Sequence, residues 1–277
     1  MKKPRGGRGP ASEKKRKKPL DERSGGVYLY VGETAARKEV FVVPGTDQDK
    51  RINSPVGWRP YFLISLLLAL LTNRLLFPLG HWLGGFFPRH DLSLPADARI
   101  PLLPWTILIY LGVFVWWFFV FLLVARRDRR TADRFFCANM LAKGICLLFY
   151  IFFPTDMSRP ELSGSSVWIL ILRFLYRVDT PDNLFPSIHC LLGWLCWIAV
   201  RGKREYPLAI RAVSFLLGAA VCLSTLTVRQ HVLADVAAGI LLAELCWLLA
   251  DRPALRGGYA RLVAWLAGPF ERKRAEK

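Results

Sequence analysis

Residues 105–125 read WTILIYLGVFVWWFFVFLLVA, a run of 21 residues without a charged side chain. At 1.5 Å per residue, a helix of this length is about 31 Å long, which matches the hydrocarbon core of a bilayer. Uncharged apolar runs of this length are typical of transmembrane helices rather than of soluble domains. The run therefore predicts a membrane protein, and the flanking sequence indicates how many times the chain crosses.

Further apolar runs lie on both sides of this stretch and are separated by short charged segments. We predict an all-α, polytopic bundle of six transmembrane helices at Trp58–Phe77, Trp105–Ala125, Phe135–Phe153, Pro186–Val200, Ala212–Val228 and Val232–Ala250. The fourth run is short, at about 22 Å. Residues 163–177 are also apolar, but Arg173 and Arg177 share one helical face. This pattern favours a helix at the membrane interface over a seventh span.

The segments outside residues 58–250 are basic. We expect residues 1–57 to be a largely disordered cytoplasmic segment and residues 251–277 to be a basic cytoplasmic tail. Within the first segment, Val27–Val31 and Val40–Val43 are apolar enough to pair as a small hairpin, and a loosely ordered linker is the alternative. Residues 58–250 then form the membrane domain.

The chain carries 39 Lys and Arg against 21 Asp and Glu, a net charge of +18. With the N-terminus inside, the predicted inner segments hold 30 of the basic residues and the outer segments hold 6. Because short inner loops are enriched in Lys and Arg, both termini are predicted to be cytoplasmic. The charge then indicates topology and attraction to anionic lipid at the cytoplasmic surface, not nucleic acid. We expect a bacterial cell membrane, and no pattern indicates an oligomeric state.

The six cysteines lie in or beside apolar runs, without a CxxC spacing. They predict buried thiols rather than a disulfide or zinc framework. No paired-carboxylate motif indicates a metal, so no metal or cofactor is expected. Two charges lie well inside spans, Lys143 and Glu244, at similar expected depths. Either they form a buried ion pair between spans three and six, or Lys143 extends to the membrane surface and Glu244 is protonated or faces water.

Two of the four histidines fall at the same predicted membrane face. His189 ends the sequence Phe-Pro-Ser-Ile-His at the outer end of span four, and His231 precedes span six. Asp235 follows His231 by four residues, so a helix would place both side chains on one face. A carboxylate there can orient the imidazole and raise the basicity of its other nitrogen. The alternative is a polar pair that only locks two helices together.

Anion-binding groups are predicted beside these histidines. Pro186 suits the first turn of a helix, which would leave the amides of Ser187, Ile188 and His189 free to bind an anion. The Ser187 hydroxyl adds a donor, and Arg159 and Arg229 can bind phosphate oxygens through two nitrogens each. Together these groups indicate phosphoryl transfer, in which positioning and charge stabilisation do most of the work.

At these residues the sequence resembles the type 2 phosphatidic acid phosphatase superfamily, over about residues 58–250. The resemblance rests on residues 158–160 (SRP), residues 185–189 (FPSIH) and residues 224–235 with Gly239. It implies that His231 is the nucleophile that forms a phosphohistidine, that Asp235 orients it, and that His189 protonates the leaving group. It also implies that Arg159 and Ser187 bind phosphate.

Two departures from the family pattern concern phosphate-binding charges. The lysine expected seven residues before Arg159 is Phe152, and the arginine expected after Ser224 is Thr225. Arg229 is a candidate replacement for one of them. This variant pattern looks more like the inositol-phosphorylceramide and sphingomyelin synthase branch than the standard phosphatases.

The expected activity is hydrolysis of a membrane lipid phosphate or diphosphate, of the undecaprenyl diphosphate or phosphatidic acid class, at an outer-face site. One alternative is a phosphotransferase that moves a phospho-headgroup to a lipid hydroxyl. The other is a non-catalytic scaffold or transporter with a degenerate site.

Overall fold

The computed structural model describes residues 16–17, 28–34, 37–43 and 56–275, with side chains for residues 56–268. It divides into two compact units, Met1–Pro55 and Val56–Lys277. Most of the predicted basic tail at residues 1–24 lies outside the described residues.

The first unit contains a three-stranded antiparallel sheet. Strand β1 (Arg16–Lys17) pairs with β2 (Tyr28–Thr34), and β2 pairs with β3 (Arg37–Val43). Val31 lies opposite Val40, and Tyr30 lies opposite Phe41. Pairs of β-branched and aromatic residues across strands stabilise a hairpin. The hairpin alternative is therefore confirmed for these strands.

The second unit is helical. Its helices are α1 (Trp58–Gly84), α2 (Ile107–Arg127), α3 (Arg129–Phe152), α4 (Val167–Val178), α5 (Ile188–Val200), α6 (Leu208–Thr227), α7 (Leu233–Leu249) and α8 (Pro253–Ala275). A 3₁₀ turn at Pro104–Thr106 leads into α2, and Pro95–Ala98 forms one helical turn. Two short strands, β4 (His90–Asp91) and β5 (Thr155–Asp156), pair in parallel between the loops.

The length and apolar composition of these helices indicate a multi-pass membrane protein. Within residues 56–275, α1, α2 with its 3₁₀ turn, α3 and α6 are each long and apolar enough to cross a membrane. The bent pair formed by α7 and α8 makes a fifth candidate if it counts as one span. Predicted spans four and six correspond to α5 and α7, which have only 13 and 17 residues. At about 20 and 26 Å they are shorter than a typical core.

Two segments outside the predicted spans also form helices. Residues 167–178 form α4, whose first turn is capped by Ser166, in agreement with the helix predicted there. The segment after residue 250 forms α8, which runs at 88° to α7 and packs against α1 and α3. Tyr259, Val263 and Ala267 are buried in the common core. Their spacing of four residues gives α8 one apolar face.

The centre of the bundle is α5, which packs against α2, α3, α6 and α7. Almost all of its side chains are buried. A helix that is surrounded by other helices on every side needs no polar face, and this accounts for its apolar sequence. All six cysteines are buried and free, as predicted.

Hydrogen bonds gather the loops at one end of the helices, which we call the His231 end: residues 85–106, 153–187 and 228–232. The Leu103 amide donates to the Thr227 carbonyl, and the Asn183 amide donates to the Thr155 carbonyl. The opposite end, which we call the Arg201 end, comprises Asp128, residues 201–207 and residues 250–252. There Arg127 donates to the Glu205 carbonyl at 2.9 Å.

Neither reading of Lys143 and Glu244 holds. The Lys143 ammonium group is buried and donates to the Ala69 carbonyl at 2.8 Å, so it does not reach the membrane surface. The Glu244 carboxylate takes both terminal nitrogens of Arg201, at 2.6 and 2.5 Å, and the Trp194 indole N–H at 3.0 Å. Arg201 directly follows the last residue of α5, and α5 packs against α7, which carries Glu244.

Candidate active site at the His231 end

His231 and Asp235 form a buried pair. The Nδ1 atom of His231 lies 3.2 Å from Oδ2 of Asp235, and the two residues are 9% and 1% exposed. The same carboxylate oxygen accepts the Val232 amide at 3.0 Å, while the other, Oδ1, is buried without a hydrogen-bond partner. The carboxylate thus holds the Nδ1 atom of His231 and leaves the Nε2 atom free to react.

The predicted pair forms, although not on one helical face. His231 precedes α7, which begins at Leu233, and Asp235 folds back to cap the first turn. The chain leaves α6 through Arg229, whose φ of 55° is left-handed. The amides of Gln230 and His231 then both donate to the Thr225 carbonyl, at 2.9 and 3.2 Å. This turn fixes the His231 backbone against the end of α6.

The electrostatics of His231 are dominated by two opposing effects. Burial lowers the pKa of the imidazole, but the hydrogen bond and the negative charge of Asp235 outweigh burial and hold the pKa above its ordinary value. A histidine that must act as a nucleophile is then active only above this raised pKa. The carboxylate also makes the ring a stronger base once it is neutral.

His189 faces His231 from the first turn of α5. Their ring centroids are 6.3 Å apart. The His189 ring stacks on Tyr110 at 4.2 Å and also contacts Phe114 and Trp117, all from α2. Its Nε2 atom is buried without a hydrogen-bond partner. The two histidines therefore meet as predicted, each held on its Nδ1 side with Nε2 uncommitted.

The start of α5 differs from the prediction. Pro186 precedes the helix, and Ser187 is its N-cap, with Oγ accepting the Cys190 amide at 3.4 Å. The Ser187 amide is not free, because it donates to the Asp235 carbonyl at 3.1 Å. The Ile188 and His189 amides remain for an anion. The hydrogen bond between the Ser187 amide and the Asp235 carbonyl requires α5 and α7 to approach closely at Gly239. An added Cβ there would lie 2.6 Å from the Ser187 carbonyl oxygen.

Arg159 is anchored beside His231. One terminal nitrogen donates to the Asp179 carbonyl, the other donates to the Gln230 side chain, and the guanidinium lies 4.6 Å from the centroid of the Tyr176 ring. Its Nε is buried without a hydrogen-bond partner. Gln230 adjoins His231 in the chain, and Asp179 interacts electrostatically with both Arg159 and His231, so these two residues connect the cation to the proposed nucleophile.

Arg229 points toward a different part of the structure. Its terminal nitrogens donate to the backbone carbonyls of Asp97, at 2.7 Å, and Ile100. The Asp97 carboxylate in turn accepts the Leu233 amide at 2.8 Å. The side chain that we expected to replace a missing phosphate ligand thus holds the 95–100 turn against the start of α7.

Three residues of this site were not identified from the sequence. Tyr110 lies in an aromatic-rich span, where its hydroxyl group is one of several polar groups on otherwise apolar side chains. Asp179 ends α4 and interacts electrostatically with both Arg159 and His231. Burial raises the pKa of its carboxyl group, and these two cations oppose the rise. Gln230 is fully buried and holds Arg159.

Two cavities adjoin the site. One, of about 420 Å³, runs between α1, α2, α3 and α5, with His189 in its wall and otherwise mostly apolar side chains. The other, of about 880 Å³, lies between α1 and residues 178–183 and includes Arg74, Asp179 and Asp182. Leu70, Asn73 and Phe77 line both. His189 therefore borders a mostly apolar space, and Asp179 borders the adjoining space with charged walls.

Comparison of the chain with protein-family models, curated proteins and solved structures returned no match. The resemblance of its motifs therefore rests on the residues themselves. Chemically, the arrangement supplies a nucleophilic nitrogen, a second imidazole as proton donor, and one anchored guanidinium.

Proposed function

We propose that this chain is an integral-membrane lipid phosphatase that acts through a phosphohistidine on His231. The observation that carries the proposal is the buried His231–Asp235 pair facing His189, with Nε2 of each ring uncommitted. A carboxylate that holds one imidazole nitrogen prepares the other for attack on phosphorus. His189 protonates the leaving oxygen, and Arg159 neutralises phosphate charge.

A lipid substrate is favoured by the apolar cavity. Its wall contains His189, and Phe114, Trp117 and Phe118 of α2 supply aromatic surface. Burial of a hydrocarbon chain contributes about 0.8 kcal/mol for each CH₂ group. A lipid monophosphate or diphosphate, of the phosphatidic acid or undecaprenyl diphosphate class, would then place its phosphate at the histidines and its chain in this cavity. No metal or cofactor is part of the proposed mechanism.

The test is phosphate release by purified protein from a panel of lipid phosphates and diphosphates. His231→Ala should abolish turnover. His90→Ala is the matched control, because His90 stacks on Phe153 away from the histidine pair. Turnover close to wild type in His231→Ala would refute the proposed nucleophile. Absence of turnover in the wild-type protein on the whole panel would favour a scaffold or transporter.

A phosphotransferase is the second candidate, and the paired cavities favour it. Two adjoining spaces that share Leu70, Asn73 and Phe77 can hold a phosphate donor and a lipid alcohol side by side. The same His231 intermediate would then pass its phosphoryl group to the alcohol instead of to water. Addition of a long-chain alcohol to the assay distinguishes the two, because a transferase forms a new phospholipid at the expense of free phosphate.

Six crossings and a site facing outside are further parts of this proposal. The imbalance of 30 predicted inner and 6 predicted outer basic residues supports them. Because all six native cysteines are buried, single introduced thiols report sidedness. In intact cells, Thr180→Cys should react with an impermeant maleimide, and Arg130→Cys should not. The reverse labelling would put the site and both termini on the opposite sides.

A further inference from the structure

Lys143 lies in the wall of the mostly apolar cavity of about 420 Å³ and is 4% exposed. Its ammonium group donates to the Ala69 carbonyl at 2.8 Å. An ammonium group has three hydrogens to donate, so this contact uses only one of them. Glu244, the carboxylate that the sequence offered as its partner, binds Arg201 instead. Within residues 56–268 no carboxylate forms an ion pair with Lys143, so it has donor capacity left for a ligand.

Other polar groups in the same wall also lack partners. A buried ammonium group or N–H group is destabilising unless its hydrogen bonds are satisfied. The Nε1 atom of Trp117 and the Oδ1 atom of Asn73 are buried without hydrogen-bond partners, and both residues line the cavity. The indole N–H group can only donate. The wall therefore combines two N–H donors, from Lys143 and Trp117, with side chains that suit a hydrocarbon chain.

The level of Lys143 in the bundle follows from Tyr150, which lies seven residues further along α3. The Tyr150 hydroxyl group donates to the Pro186 carbonyl at 3.2 Å, next to the first turn of α5 that carries His189. Seven residues of helix rise by about 10 Å, and long side chains on one helix lean in the same direction along its axis. The Lys143 ammonium group therefore lies about 10 Å from the first turn of α5, toward the Arg201 end.

This distance matches the position of an acyl carbonyl group in a lipid phosphate. Where the acyl chain is attached to the carbon beside the one that bears the phosphate, about six bonds separate phosphorus from the carbonyl oxygen. An extended chain covers about 1.2 Å per bond, so six bonds span about 7 Å, and a hydrogen bond adds about 3 Å. A polyprenyl phosphate has no oxygen at this distance, because its chain is hydrocarbon.

We propose that Lys143 and Trp117 form a subsite that binds an acyl carbonyl group of the substrate and selects acylated lipid phosphates over polyprenyl phosphates. The inference rests on the proposed function and names the substrate class of that site. The phosphate lies at the histidines and the carbonyl oxygen at Lys143. The hydrocarbon chain then continues along Leu66 and Phe121, which line the cavity nearer the Arg201 end. The two residues select and position the lipid and take no part in bond breaking.

The experiment compares four lipid phosphates of matched chain length, by phosphate release and by equilibrium binding. A diacylglycerol phosphate and its dialkyl ether analogue differ only in the carbonyl oxygens. An N-acyl lipid phosphate carries its carbonyl group in an amide, whose N–H group can also donate to Asn73 Oδ1. A polyprenyl phosphate lacks both groups. Binding is measured in His231→Ala protein, so that the lipids are not consumed.

The variants remove one donor at a time. Lys143→Met replaces the ammonium group by an apolar side chain of similar size. Trp117→Phe removes the indole N–H group and keeps an aromatic ring. Lys203→Met is the matched control, because Lys203 pairs with Asp128 at the Arg201 end, away from the cavity.

The diacyl lipid should exceed both the dialkyl and the polyprenyl lipid by about tenfold or more in affinity and in kcat/KM, as expected for a hydrogen bond from a charged donor. Lys143→Met should bring the diacyl and dialkyl lipids within about twofold of each other, and Trp117→Phe should reduce the difference in part. Lys203→Met should preserve it. The tighter binder of the ester-linked and amide-linked lipids identifies the linkage that the subsite takes.

Two results overturn the subsite while the phosphatase stands: equal values for the diacyl and dialkyl lipids without a substitution at Lys143 or Trp117, or a preference that survives in Lys143→Met. Binding that prefers the diacyl lipid and depends on Lys143, without phosphate release from any lipid by the wild-type protein, would instead keep the subsite and reject the phosphatase.

Discussion

The two ends of the helix bundle both hold charged residues, but they use them differently. At the Arg201 end, Arg201 and Glu244 form a two-point ion pair, and Lys203 pairs with Asp128 at 3.1 Å. At the His231 end, buried polar atoms lack partners: Oδ1 of Asp235, Nε2 of His189 and Nε of Arg159.

Unpaired buried polar atoms are destabilising, so a protein selected only for stability would avoid them. Two of the three, Nε2 of His189 and Nε of Arg159, are nitrogen atoms that can donate to a substrate phosphate or its leaving group. The Arg201 end also holds a buried polar atom without a partner, the Tyr206 hydroxyl oxygen, but its charged groups Arg201, Glu244, Lys203 and Asp128 are all paired. The difference teaches that charge at the Arg201 end holds helices together, whereas charge at the His231 end is, under the proposed function, arranged for a ligand. Each prediction below tests this division.

The largest expected effect is at Asp235. Asp235→Asn keeps the size of the side chain but changes which of the two His231 ring nitrogens carries the hydrogen. By analogy with the same change in serine proteases, kcat should fall by about three to four orders of magnitude. Steady-state phosphate release measures this. A loss below tenfold in a folded variant would mean that the pair only locks α6 to α7.

The two arginines of the His231 end should separate. Arg159→Lys keeps the charge but loses the planar fork beside His231, so kcat/KM should fall by about 100-fold. Arg229→Lys instead breaks the contacts with Asp97 and Ile100. It should lower the melting temperature and cost about tenfold or less in kcat/KM. A greater kcat/KM loss in Arg229→Lys than in Arg159→Lys, at unchanged stability, would make Arg229 the phosphate ligand.

At the Arg201 end, Glu244→Gln should change stability and leave chemistry alone. The pair is partly exposed, so its loss should lower the free energy of unfolding in detergent by only about 1 kcal/mol. The kcat value should stay within twofold of wild type. Lys143→Met should not rescue the variant, because Lys143 binds Ala69 and not Glu244. Rescue, or a tenfold fall in kcat, would show that the two ends are coupled.

Acid should affect the two ends in different pH ranges. His231 must be neutral to attack, and its pKa lies above the ordinary 6.5, so kcat/KM should fall as pH drops through that raised value. At the other end, burial raises the pKa of Asp128, but hydrogen bonds from Thr131 and Lys203 outweigh burial and lower it below 3.8. Its stabilising effect is present at neutral pH and is lost as pH falls through the lowered pKa.

A pH series of activity and of thermal unfolding tests this order. Activity should be lost first and reversibly, while the fold persists at pH 5. Asp235→Asn removes the charge that raises the His231 pKa, so any residual activity should extend to lower pH. An activity profile that follows unfolding at every pH would remove the distinction between the ends.

Much of the fold was predictable because transfer of side chains into lipid depends on local composition. The apolar runs located every helix from α1 to α7, with the largest differences at the end of α1, seven residues beyond the predicted span, and at the start of α3, six residues before it. The sequence pattern did not predict that α8 folds back on α1 and α3, because its Lys and Arg conceal one apolar face. The sequence also predicted that α5 and α7 each cross a membrane, and this stays a prediction, because the two helices have only 13 and 17 residues.

The histidines and Asp235 were found from the sequence because their spacing places them at one end of two neighbouring helices. Their partners depended on packing between distant segments. Tyr110 is 79 residues from His189, and it reaches that ring because α2 lies beside α5. Likewise, Glu244 pairs with Arg201 rather than Lys143, because α5 packs against α7 and Arg201 directly follows the end of α5. Composition and spacing thus determined the apolar helices and the His231–Asp235 pair, whereas the packing of helices decided which groups surround it, because those groups come from segments far apart in the chain.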